Sequence, residues 1–227
     1  MDWQTAIDRQ RNTLISIISL LMKSLGLVDG GALTTLPYFL YRRALLIIRP
    51  AEAAVRRLIM MVAYDMELRG FNLAPRGAMS AKPTERGPFD RLSRSNRSNQ
   101  NQHHHAFNLI DPLKTFGSDA PDYSTFGASF DPNLDTSNRT PTPAASLGRR
   151  LLALKSVLEN IDKQARRLTR WYAARDAALA QNRPHRLSPL RPGFPPGYRK
   201  KPQHEIEEVL LDCHSLAQYA REKRDSS

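Results

Sequence analysis

A single cysteine, Cys213, occurs in this chain of 227 residues, which excludes an internal disulfide framework and any all-cysteine metal site. Long apolar runs are missing too. The longest uncharged stretches, Asn12 to Met22 and Gly30 to Tyr41, are 11 and 12 residues, whereas a spanning helix needs about 20. The start, Met1-Asp2-Trp3-Gln4, has no basic n-region and no small-residue cleavage pattern follows, so no secretory signal is read. The expectation is a soluble, cytoplasmic protein, at most peripheral to a membrane. Gly-x-Gly-x-x-Gly, Walker and Gly-x-Ser-x-Gly patterns are absent, as are helix-turn-helix, zinc-finger and RNA-sheet signatures. Neither catalysis nor a cofactor is indicated. Aromatics make up only 7%, and 16 prolines with a mean hydropathy of −0.50 place a good part of the chain outside a core.

What is present divides into three regions. Residues 1–74 read as three helices. Asp2 can cap the first, in which Trp3, Ile7, Leu14, Ile18, Leu21 and Leu25 recur at helical steps, and Gly26 ends it. The second starts around Thr35-Leu36-Pro37. Pro50 fits best at the first position of a third, which carries Val55, Leu58, Ile59, Val62 and Met66 on one face and ends by Gly70. Residues 75–146 are rich in Pro, Ser, Asn, Asp and Thr, and Ser93 to His105 has no apolar residue. Such a stretch reads as a disordered linker. It holds two apolar islands, Ala106–Phe116 and Phe126–Leu134.

From residue 147 the pattern sharpens. Leu147, Leu151, Leu154, Leu158, Ile161, Ala165, Leu168 and Tyr172 step by four and three, an apolar heptad seam. A proline-rich breaker fills residues 183–202, and Ile206, Leu210, Cys213, Ala217 and Ala220 then repeat the stepping. Two seams flanking a loop predict a long antiparallel helical hairpin over 147–227, either separate from residues 1–74 or one domain with them. The first arm would be about 50 Å long and its partner about 30 Å. The N-terminal helices or a second copy would cover the remainder. The predicted fold class is all-α.

The net charge of +12 is concentrated. Residues 148–204 hold 14 Lys or Arg against 3 Asp or Glu. Arg149, Lys163, Arg166, Arg167 and Arg170 fall off the seam as an outer face, and Arg199, Lys200 and Lys201 belong to a loop without any acid. A basic stripe of this kind suits nucleic acid or another anionic partner, and equally a solvated face offset by Glu205, Glu207, Glu208 and Asp212. Phe194 and Tyr198 could stack on bases or anchor the loop. In the linker, Phe107, Leu109, Ile110, Leu113 and Phe116 form a candidate partner-docking island that could instead fold back onto the helices.

Other candidates read as ordinary structure. His103-His104-His105 lies in polar sequence with no nearby ligand partner, and His204, Glu208 and Asp212 share a polar face without the two-histidine zincin arrangement. No metal site is expected. Cys213 and His214 point about 100° apart on a helix, and Cys213 sits on the apolar seam. The apolar faces of residues 1–66, flanked by arginines, suit burial or a membrane interface.

Three stretches, Ile48 to Ile59, Phe107 to Pro112 and Pro195 to Pro202 leading into His204-Glu205-Ile206, resemble those of small, basic, uncharacterised proteins of alphaproteobacteria. The resemblance implies a bacterial cytoplasmic protein and brings no activity, cofactor or site residue with it. The leading expectation is a non-enzymatic helical interaction or adaptor protein, working through a protein partner or self-association. Nucleic-acid binding through the basic face and residues 183–201 is the alternative. Association with an anionic membrane surface through residues 1–66 is the second.

Overall fold

The computed structural model describes residues 3–27, 33–70, 107–112, 141–186 and 188–225. They are mostly helical: α1 Trp3–Ser24, α2 Tyr38–Leu68, α3 Ala145–Glu159, α4 Ile161–Ala180 and α5 Glu205–Asp225, with β1 Thr35–Pro37 and β2 Pro141–Pro143 forming a short antiparallel ladder. Leu36 faces Thr142 across it. The all-α class therefore holds apart from this ladder, which occupies the stretch expected to open the second helix.

α1 ends as its glycine predicts. Gly26 has φ +70°, its N–H donates to the Lys23 carbonyl, and Leu27 N–H donates to the Met22 carbonyl. This is a Schellman ending, which needs a left-handed residue where only glycine is unstrained. α2, by contrast, overturns an expectation. Pro50 does not open a third helix; it lies inside one helix of 31 residues. Its ring costs a helical hydrogen bond, and burial on every side outweighs that cost. Residues 53–63 are all buried, the pattern of a helix surrounded by others. α1, α3, α4 and α5 each pack against α2.

The long seam after residue 147 is also interrupted. Asn160, at φ −119° and ψ 45°, separates α3 from α4, and its side-chain amide donates to the Ser156 carbonyl. The antiparallel hairpin is replaced by a different arrangement. Arg224, near the end of α5, reaches Asp176 at 3.2 Å and lies 3.7 Å over the Tyr172 ring. The C-terminal parts of α4 and α5 are thus together, where an antiparallel hairpin would set the end of α5 beside the start of α4. The α4 and α5 parts of the seams pack chiefly on α2 and the α3 part on both α1 and α2; Leu168, Tyr172, Leu210, Cys213 and Ala217 join the same buried cluster as Leu58, Ile59 and Met61. α5 runs alongside α2, with His214 against Arg57 and Arg224 against Glu67.

Of the stretch read as linker, residues 75–106 and 113–140 lie outside the described residues, together with His103, His104, His105, Leu113 and Phe116. Residues 107–112 belong to the packed structure, and Pro141 opens β2.

Candidate functional site

Charge lies at the centre of the molecule. Arg56 and Arg57 sit in the fully buried run of α2, 8% and 0% exposed, although the sequence pattern puts them off the apolar face. Neither can lose its proton readily, so each needs an anion or acceptors. Asp111 supplies the anion from the island. Its side chain is wholly buried, with Oδ2 3.1 Å from Arg57 Nη2 and Oδ1 3.4 Å from Arg56 Nη1. Burial lowers the pKa of both arginines from the ordinary value, and the charge of Asp111 works against that shift. Arg57 also donates to the Ala53 carbonyl and, through Nε, to Nδ1 of His214 at 3.2 Å. Burial and then Arg57 lower the pKa of His214, which suits a ring that must accept that hydrogen bond while neutral.

The rest of the island is held with the same thoroughness. Arg56 Nε donates to the Asn108 carbonyl, Arg167 to the Phe107 carbonyl and Arg186 to the Asp111 carbonyl, at 2.9, 3.1 and 3.1 Å. Asp111 N–H donates to the Pro189 carbonyl at 2.8 Å, and Arg191 N–H approaches Asp111 Oδ2 at 3.4 Å. Phe107, Leu109 and Asp111 are buried while Asn108 and Pro112 are exposed and Ile110 is half-buried. The Phe107 ring packs 5.3 Å from the Arg56 guanidinium. Of the candidate docking residues, then, Phe107 and Leu109 are occupied by the chain's own core and Ile110 is half-buried. Phe107 and Leu109 therefore have no free apolar side chain to offer a partner, while Leu113 and Phe116 lie outside the described residues.

The candidate basic face divides. Arg149 is exposed on α3, while Lys163, Arg166 and Arg167 are exposed on α4 beyond the Asn160 break, and Arg170 is half-buried. Arg166 lines a cavity of about 390 Å³ whose rim also holds Arg11, Arg69, Asp8, Asp65 and Asp162. Arg167 turns instead to the Phe107 carbonyl. Between α2 and α3, Glu52 accepts from Arg150 at 2.7 and 2.9 Å and lies 3.8 Å from Arg56. Desolvation opposes charge on Arg150, and the bonds to Glu52 raise its pKa overall.

The basic loop is fixed in place. Gly197, at φ +83°, comes so close to α2 that a Cβ there would meet Pro50 N at 2.8 Å and Cα at 2.9 Å. Pro189, Leu190 and Pro195 are buried beneath it. Above these anchors, Phe194 stacks on Tyr198 with ring centroids 4.1 Å apart and planes 16° from parallel, and Phe194 stays 62% exposed. Arg199 pairs with Glu207 at 3.2 Å and donates to Gln203. Lys200 and Lys201 are exposed. The glutamate is itself buried and accepts from Gln203 N–H at 2.7 Å, closing the start of α5.

No family model, no curated protein and no solved structure matches the chain. The geometry alone carries the functional reading. Among the described residues, no group of His, Cys, Asp or Glu is arranged to hold a metal ion, and no helix is long and apolar enough to cross a membrane. His204, Glu208 and Asp212 are exposed, with Asp212 accepting from Gln10 at 3.2 Å. Cys213 is fully buried, and burial pushes its thiol up to about 12.

Sequence reasoning missed Asp111, Arg56, Arg57 and His214 as a unit. Two signals point to them. Asp111 continues the every-second-residue register of Phe107 and Leu109, and Arg56-Arg57 interrupts a helix that is otherwise apolar on all sides over residues 53–63.

Proposed function

We propose that the protein is a non-enzymatic helical binding protein whose contact surface is the basic loop of residues 183–204, with single-stranded nucleic acid as its partner. The observation that carries this reading is the exposed Phe194 ring, stacked on Tyr198, on an anchored loop that also exposes Lys200 and Lys201. An aromatic face beside cations suits bases stacked along an anionic backbone. The other modes expected from the sequence have less to work with. Phe107 and Leu109 of the island are engaged, and the apolar stripes of α1 and α2 are largely turned into the core. The buried ionisable groups are bonded to one another and the Cys213 thiol stays protonated, which supports binding over catalysis.

The test is fluorescence anisotropy with a labelled single-stranded oligonucleotide at about 0.05 M and about 0.2 M salt, a range over which binding to phosphate weakens steeply. Affinity falls with salt, and the paired substitution Lys200→Glu with Lys201→Glu flattens that dependence by about 0.7 for each phosphate no longer neutralised. Phe194→Ala costs about 1–3 kcal/mol of binding at either salt. No binding to any oligonucleotide at the lower salt would overturn the nucleic-acid reading and direct the search to an acidic protein surface.

A further inference from the structure

Residues 107–112 are held as a bound peptide is held, not as an element of the bundle. They form no helix or strand, and inward and outward side chains alternate along them, with Phe107, Leu109 and Asp111 inward. Grooves that take extended peptides work this way: hydrogen bonds to the main chain give affinity, and pockets for alternate side chains give specificity. Here three arginines from α2, α4 and the loop each grip a main-chain carbonyl, at residues 108, 107 and 111. The single carboxylate meets two buried guanidinium groups. The charge balance defines the occupant. Without Asp111 the groove would leave the fully buried Arg57 with no carboxylate and Arg56 with Glu52 alone, at 3.8 Å, so whatever fills it must bring a carboxylate to that point.

We propose that the groove between α2, α4 and residues 186–191 is a receptor for an acidic segment of a partner protein with the pattern apolar-x-apolar-x-Asp, and that residues 107–112 fill it in cis as an exchangeable plug. A plug tethered in the same chain acts at an effective concentration on the order of millimolar. The partner's segment therefore has to bind better than the plug, or arrive beside a second point of attachment. The proposal is independent of the nucleic-acid reading, since it uses the buried side of residues 186–191 and not the exposed Phe194 surface.

The experiment uses the full chain and a fluorescein-labelled peptide of residues 106–113, Ala-Phe-Asn-Leu-Ile-Asp-Pro-Leu. Its anisotropy is followed against the unaltered protein, against a Phe107→Ala, Asp111→Ala protein, and with a peptide carrying Asn in place of the aspartate. The expected result is binding to the double variant that is about tenfold tighter or more than to the unaltered protein, whose own plug competes, with the Asn peptide correspondingly weaker. Should the double variant lose its helicity, peptide at about 1 mM restores the circular dichroism signal if the groove is a receptor. A folded variant that ignores the peptide, or an unfolded one that the peptide does not restore, overturns the proposal. So does a doubling of the unaltered protein's mass by light scattering that the peptide fails to reverse, because the occupant is then a second copy of the chain.

Discussion

Two irregular segments lie on the same helices and solve opposite problems. Residues 107–112 carry one acid and bury it, and residues 188–204 carry bases and turn Lys200 and Lys201 outward. The first is held by charge, since α2 offers two guanidinium groups that only an anion can balance. The second is held by shape, with a glycine pressed on a proline and buried prolines beneath the loop. Sign decides which way each segment faces. An acid is stable inside because two arginines balance it there, and Lys200 and Lys201 stay outside, where water solvates their charge.

The largest break in this comparison comes from the acid. Asp111→Ala leaves Arg57 without a carboxylate in the core and Arg56 with Glu52 alone, and costs about 3–5 kcal/mol of folding stability, read as a lower urea midpoint. Shape should count for less. Gly197→Ala places a Cβ against Pro50 and keeps a positive φ, which costs about 1–3 kcal/mol by the same measurement. The smallest effect belongs to His214. Burial and Arg57 hold its pKa below the ordinary value, Arg221 acts in the same direction and Asp111 against it. The unfolded chain therefore binds a proton that the folded chain declines. The stabilising contribution is complete above about pH 6.5 and is lost as pH falls below it. His214→Gln keeps an acceptor for Arg57 and removes the titration. The difference in urea midpoint between the unaltered and variant proteins should then change between about pH 8 and pH 5, and an unchanging difference would remove His214 from the site.

Helical periodicity makes much of the fold readable in advance. The seam from Leu147 to Tyr172 and that from Ile206 to Ala220 are buried almost residue for residue. Periodicity says which face is covered and is silent on what covers it, so pattern alone matches the two seams to each other, when the first is covered by α1 and α2 along α3 and by α2 along α4, and the second chiefly by α2. Pro50 misleads for a similar reason: local rules set a proline at a helix start, and tertiary burial keeps the helix running through it. The candidate site is less legible. Asp111 lies among apolar residues in an otherwise polar stretch, and its partners Arg56 and Arg57 are more than fifty residues away. No local pattern joins an acid to bases at that separation. The basic loop is visible as composition, whereas its stacked rings and fixed shape depend on the approach of Gly197 to Pro50.

The alignment of α5 with α2 has a consequence in time. Arg57 meets His214 and Glu67 meets Arg224, both across 157 residues. When the ribosome has released α2, the residues that cover one of its apolar sides do not yet exist. At synthesis rates of about 5–20 residues per second, that side stays bare for on the order of ten seconds. Most helical bundles close through neighbours in sequence and fold quickly. This one leaves one side of α2 uncovered until α5 has been made, a window in which a chaperone or a neighbouring nascent chain can reach it.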